Sequence, residues 1–199
     1  KFFFSYTKKK NIRLLKFNFS TNIKNTEKFL NRKEIKNCDI FINAAASLKE
    51  INYNKFKIIN LLDAFKINLF PGVILTQILG NLMNKRKKGR IIHLSSIGVK
   101  FGGGDDSFCY SLSKHGLEFM PKKLKEWTKN NVLINSVRVG LTNTKIHNNL
   151  KNKNLKKRIN LIPIKRMATP NEIAKFIYYL GSEKNTYISG QVIPISGGE

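Results

Sequence analysis

Four short apolar runs, separated by segments long enough to cross back over a sheet, constrain this chain more than any other feature. CDIFINAAAS, GRIIHLSS, VLINSVRV and QVIPIS are bounded by turn residues and enriched in β-branched side chains, as buried strands are. Between them lie helical patterns over about Asn60 to Asn84, from Tyr110 to about Asn130, and over PNEIAKFIYYLGS. The last has Pro170 in its first turn, Glu172 close behind and Gly181 at its end, the composition of a capped helix. Pro71 and Gly72 weaken the first helix in its middle, and Pro121 is expected to kink the second. Strands alternating with helices of this length predict an α/β fold, a doubly wound parallel sheet with helices on both faces. Two further strands are expected upstream, FFFSY and RLLKFNF, and then a polar helix over roughly Ile23 to Lys36.

In open parallel sheets, ligands lie beyond the carboxyl ends of the strands. Two of these ends draw the eye. The strand Asp39 to Asn43 runs into Ala44, Ala45 and Ala46, small residues that let another group approach the backbone. The strand GRIIHLSS ends in a serine pair, followed by a glycine-rich loop and then YSLSK. Tyr110 and Lys114 are four residues apart and so share one helix face. A phenol beside a fixed ammonium is an acid/base device, and the Lys charge is expected to draw the Tyr pKa down. Ser96 could add a hydroxyl to a substrate oxygen held between them. Taken alone, the Tyr-x-x-x-Lys spacing is a weak signal that describes a surface tyrosine and a solvated lysine more readily. His93, among apolar neighbours, reads as a satisfied structural histidine. Asn68 stands inside a helix, where a local hydrogen-bonding purpose explains it best.

At 199 residues the chain fits one domain, with a basic, Asn-rich segment from Lys145 to Arg158 expected to form a mobile flap, about 145–160. The formal charge of +25 at pH 7 raises nucleic acid as a partner. However, Lys greatly outnumbers Arg and is scattered, which argues against a dedicated site. Cys38 and Cys109 are isolated and read as structural thiols of a reducing cytosol, and no metal site is expected. The longest mainly apolar stretch, Ile67 to Met83, is interrupted by polar residues and reads as too short and too polar to span a bilayer.

Together, these segments resemble the short-chain dehydrogenase/reductase family over nearly the whole chain. CDIFINAAA is similar to that family's Asp-x-x-x-Asn-Asn-Ala-Gly motif, and KINLF to its helix Asn motif. IIHLSS and YSLSK are similar to its active-site Ser, Tyr and Lys, INSVRVGLTNT to its Pro-Gly and Thr stretch, and IPIKRMATPNEIAKFIYYLGSEKNTYISGQVIPISGG to its C-terminal region. The resemblance implies a Rossmann-like domain over residues 1–199 that binds NADP or NAD. It implies a cytoplasmic oxidoreductase acting on a carbonyl/alcohol pair, and looks most like the 3-oxoacyl-carrier-protein reductase branch. Within it, Tyr110 would be the general acid/base and Lys114 would hold the nicotinamide ribose. Ser96 would orient the substrate oxygen, and Asn68 would hold a water that links Lys114 to solvent. Asn18, Asn43, Ala44 and Thr144 would border the cofactor, and a homodimer or homotetramer would be expected.

The departures from the pattern are informative. Ala44 and Ala46 replace an Asn and a Gly, and Val139 replaces a Pro. Thr7, Lys8 and Lys9 stand where an acidic residue would meet a ribose 2′-hydroxyl, which modestly favours NADP. The family's first strand and glycine-rich phosphate turn have no counterpart here, so the sequence is expected to be an N-terminally incomplete record of a longer protein. Alternative readings are a non-catalytic or degenerate relative and, further off, a basic nucleic-acid-binding protein.

Overall fold

The computed structural model describes residues 32–147 and 155–199. The expected strands FFFSY and RLLKFNF, most of the Ile23 to Lys36 helix, and Asn18 lie outside the described residues. Strands β1 (Ile40–Asn43), β2 (Gly89–Ser96), β3 (Val132–Val139) and β4 (Val192–Ile195) form one sheet in the order β1-β2-β3-β4, with every neighbouring pair parallel. The helices are α1 (Lys33–Lys36), α2 (Ile58–Asn68), α3 (Phe70–Arg86), α4 (Phe108–His115), α5 (Leu124–Lys129), α6 (Leu155–Leu161) and α7 (Pro170–Gly181). This is the Rossmann-like α/β architecture expected from the alternation of strands and helices.

Both faces of the sheet are covered, because side chains alternate along a strand and successive apolar residues go to opposite sides. Ile91, Val132 and Ile134 pack with Leu75, Leu79 and Met83 of α3 and with Trp127 of α5. Ile92 and Val137 pack on the opposite face with Ile173, Ile177 and Leu180 of α7. Each fully buried aliphatic side chain contributes roughly 1.5–3 kcal/mol, so the central strands β2 and β3 anchor both layers. Helix α7 starts as its sequence predicts. Thr169 and Glu172 form a reciprocal cap, with Thr169 N–H donating to Glu172 Oε2 at 2.7 Å and Glu172 N–H to Thr169 Oγ1 at 3.3 Å.

Two of the long helices expected from the sequence are each divided. Between Asn60 and Asn84, α2 ends at Asn68 and α3 begins at Phe70, because Pro71 has no N–H to give the Ile67 carbonyl. The helix expected from Tyr110 to Asn130 ends at His115, passes through a 3₁₀ turn over Gly116–Glu118, runs extended at Phe119, and restarts at Leu124. Pro121 is again the reason: it offers no N–H to Leu117 and disfavours helical backbone at Met120. Ser136 Oγ donates to the released Leu117 carbonyl at 2.6 Å, and Ser95 Oγ reaches the Lys114 carbonyl at 3.2 Å. The Lys145 to Arg158 segment, expected to lack regular structure, contains a 3₁₀ turn at Lys145–His147 and the first residues of α6.

Taken end to end, Ile58–Arg86 is long and apolar enough, by length and composition alone, to cross a membrane, with mean hydropathy 1.6 in its most apolar window. The break at Asn68 and the burial of Asn68, Thr76, Leu79 and Met83 tie both helices into the sheet, leaving Ile58, Ile59, Phe70 and Val73 exposed.

Candidate active site

Because the sheet is parallel, Asn43, Ser96 and Val139 end their strands at the same edge. Tyr110 is the third residue of α4, and Lys114 follows one turn later. The spacing seen in the sequence therefore places both side chains over the end of β2. Lys114 is 2 % exposed. Its ammonium donates to the carbonyl of Ala45 at 3.0 Å and to that of Leu94 at 2.8 Å. An ammonium has three N–H donors, so among the described residues one is left to meet a ligand oxygen. The nitrogen stands 6.0 Å from the centroid of the Tyr110 ring.

Burial acts on the two groups in opposite directions. Removing an ammonium from water disfavours its charge, and Lys114 is pulled down from 10.5 to about 8. Desolvation likewise disfavours the phenolate. Tyr110 is pushed up to about 12, against the weaker opposing influence of the Ser96 hydroxyl. The expectation that Lys114 would draw the Tyr110 pKa down is not met. The ammonium is engaged with two backbone carbonyls, and the loss of water around the phenol outweighs any nearby positive charge. Ser96 Oγ also accepts from Gly98 N–H at 3.1 Å, a local turn that fixes its rotamer at the strand end.

Asn68 is fully buried, and its side chain is engaged by protein groups. Its Oδ1 accepts from Ser47 N–H at 2.7 Å, while its Nδ2 donates to the Ser47 carbonyl at 3.1 Å and to Ser113 Oγ at 2.9 Å. Ser113 in turn donates to the Tyr110 carbonyl at 2.6 Å. The Asn68 side chain thus clamps the segment after β1 against α4. Asn43 is buried at the end of β1 and Ala44 beside it is exposed, as is Thr144 on the segment after β3. Asn43 and Ala44 lie at the carboxyl end of β1, and Thr144 follows that of β3. Tyr110 also lines a small cavity together with Ser47, Asp63, Ile67 and Cys109. The sequence pointed to the backbone around Ala45 through its small residues but did not single out Ser47, Ser113 or the Leu94 carbonyl. Ser47 and Leu94 act through backbone groups, which residue type does not reveal.

Comparison with known proteins converges on one class. Residues 21–199 match the sequence model of the family described as Enoyl-(Acyl carrier protein) reductase. The chain is 33 % identical over 161 residues to a 3-oxoacyl-(acyl-carrier-protein) reductase of Aquifex aeolicus, covering 80 % of this chain and 64 % of that protein. It is 33 % identical over 190 residues to the enzyme of the same name from Buchnera aphidicola subsp. Schizaphis graminum, covering 92 % and 77 %. Among solved structures, a candidate NAD(P)-dependent gluconate 5-dehydrogenase from Beutenbergia cavernae superposes with TM-score 0.80 at 22 % identity, covering 89 % of this chain and 72 % of that one. A 3-oxoacyl-(acyl-carrier-protein) reductase from Agrobacterium tumefaciens superposes with TM-score 0.72 at 20 % identity, covering 81 % and 64 %. These superpositions establish a Rossmann-like fold. The sequence matches go further: the chain belongs to the short-chain dehydrogenase/reductase family.

Proposed function

We propose that this chain carries the proton-transfer site of a nicotinamide-dependent reductase that interconverts a carbonyl and an alcohol. The observation that supports this most directly is the placement of Ser96, Tyr110 and a buried, doubly anchored Lys114 at one sheet edge. Bound there, a nicotinamide would supply hydride. The residues of the chain do the rest. Tyr110, held neutral by burial, keeps its proton at working pH and donates it to the carbonyl oxygen as negative charge develops there. Ser96 donates a hydrogen bond to the same oxygen and orients it. The free N–H of Lys114 meets a ribose hydroxyl, and Asn68 holds the shape of the site through Ser47 and Ser113. Asn43, Ala44 and Thr144 line the cofactor side of the rim, and Asn18, outside the described residues, is assigned to the adenine end.

NADP is favoured over NAD. The support is the basic stretch Thr7, Lys8, Lys9 in the sequence and the NADP bound in the solved Agrobacterium and Beutenbergia relatives. The substrate class is a carrier-linked or otherwise activated 3-oxo compound, by similarity to the named reductases. The residue 145–160 region would border it. The exposed apolar residues Ile58, Ile59, Phe70 and Val73 suit pairing of α2 and α3 with a second copy in a homodimer or homotetramer.

The test is a turnover assay of the full-length protein with 3-oxoacyl thioesters and both nicotinamide cofactors. Tyr110→Phe should lower kcat by at least about 10²-fold, within the range general acid catalysis supplies, while cofactor binding persists. A variant that retains full turnover rules the mechanism out.

A further inference from the structure

His93 does more than fill the core. It is 4 % exposed on β2, and its direct cross-strand partner in the β1–β2 register is Asn43. The Asn43 side chain has a defined orientation, because Ala45 N–H donates to its Oδ1 at 3.4 Å. That leaves Nδ2 facing His93 Nδ1 at 3.2 Å. An amide N–H can only donate, so Nδ1 must carry a lone pair and the ring proton must reside on Nε2. From Nε2 it is donated to Thr76 Oγ1 of α3 at 2.9 Å. The close approach of α3 supports this arrangement, since a Cβ on Gly72 would stand 2.3 Å from Asn43 Nδ2.

The far end of this chain of bonds is Lys114. The Ala45 peptide is held on both sides, its N–H by Asn43 and its carbonyl by the Lys114 ammonium. The second carbonyl that holds the ammonium belongs to Leu94, the residue after His93. Both anchors of the lysine are therefore presented by backbone close behind the Asn43–His93 pair, Ala45 two residues beyond the end of β1 and Leu94 within β2. We propose that the Thr76–His93–Asn43 relay is a positioning device that sets where Ala45 and Leu94 present their carbonyls and so where the Lys114 ammonium sits. Neutral His93, protonated at Nε2, is the form that completes it. Placing the reacting groups to within a fraction of an ångström is what such a device would contribute.

This inference rests on the reading of Lys114 as an active-site lysine, and its test separates the two. Asn presents an acceptor near the position of Nδ1, whereas Gln presents one near Nε2. His93→Asn should therefore preserve the bond from Asn43, and His93→Gln should break it. The ¹⁵Nζ resonance of Lys114, assigned by its loss in Lys114→Arg, reads the ammonium directly in the purified full chain without ligand. It should be unchanged in His93→Asn and should move, with faster solvent exchange and a displaced titration midpoint, in His93→Gln. Thr76→Val, which frees the ring tautomer without altering the ring, should move it in the same direction and covers the case in which His93→Gln does not fold. In turnover, His93→Gln should lower kcat by about 10- to 100-fold with KM little changed, and His93→Asn should restore it. A Lys114 resonance indifferent to both His93→Gln and Thr76→Val overturns the relay, whatever the turnover. Movement of the resonance in a protein without turnover upholds the relay and counts against the proposed function instead.

Discussion

The Lys114 ammonium stands 6.0 Å from the centre of the Tyr110 ring yet donates to the Ala45 and Leu94 carbonyls. Burial brings the two groups toward their neutral forms from opposite ends of the scale. The lysine is lowered to about 8 and the tyrosine raised to about 12. Each side chain is thus most at home uncharged, and only the lysine has a conversion near working pH.

That asymmetry predicts an alkaline stability signature. The folded Lys114 titrates near 8 and the unfolded one near its ordinary 10.5. Between those values the unfolded chain binds more protons, so stability rises with pH through this window. Below about 8 both states carry the charge, and the folded one bears its desolvation cost. Lys114→Met should remove this rising contribution, worth up to about 3 kcal/mol across the window. Urea unfolding of both proteins from pH 7 to pH 10.5 checks it. Parallel stability curves for the two would refute the assignment.

The Glu118–Arg138 pair supplies a second prediction. Glu118 is nearly buried, accepts from Arg138 at 2.8 and 2.7 Å, and receives the Ser95 hydroxyl at 2.7 Å. Arg138→Ala leaves that carboxylate without its cation and should cost about 2–3 kcal/mol. The loss stays below that of a fully enclosed pair because Arg138 retains solvent contact. Replacing both residues with leucine should recover most of the loss. Denaturant unfolding of the single and double variants decides between these outcomes.

Gly80 tests the packing of α3. Alanine in the middle of a helix ordinarily stabilises by about 1 kcal/mol relative to glycine. Here a Cβ would stand 2.2 Å from the ring edge of buried Trp127, so the sign should invert. Gly80→Ala is expected to destabilise by about 1–3 kcal/mol, the usual cost of overpacking. Pairing it with Trp127→Leu should relieve that cost, as a thermal-unfolding cycle would show.

Much of the molecule was legible in the chain. The apolar runs around Ile40, Ile91, Ile134 and Val192 marked four parallel strands, and Pro170 to Gly181 marked a capped helix almost to its ends. The pairing of Tyr110 with Lys114 followed from helical periodicity alone. These features are local or periodic, and a sequence records them directly. The two proline-broken helices were read as continuous. Whether Pro121 bends a helix or ends it depends on whether Ser136, on another strand, can satisfy the carbonyl that the proline releases.

By itself, then, the sequence determined the order of elements, the parallel sheet, the edge where Asn43 and Ser96 end their strands, and the placing of Tyr110 and Lys114 on one helix face. Tertiary structure decided what those residues do to one another. It directed the Lys114 charge to two carbonyls rather than to the phenol, turned Asn68 into a clamp, and joined His93 to Asn43 across a strand register. Those outcomes depend on desolvation and on bonds between groups as many as 69 positions apart in the chain. Neither is a property of a residue type or of its neighbours along the backbone.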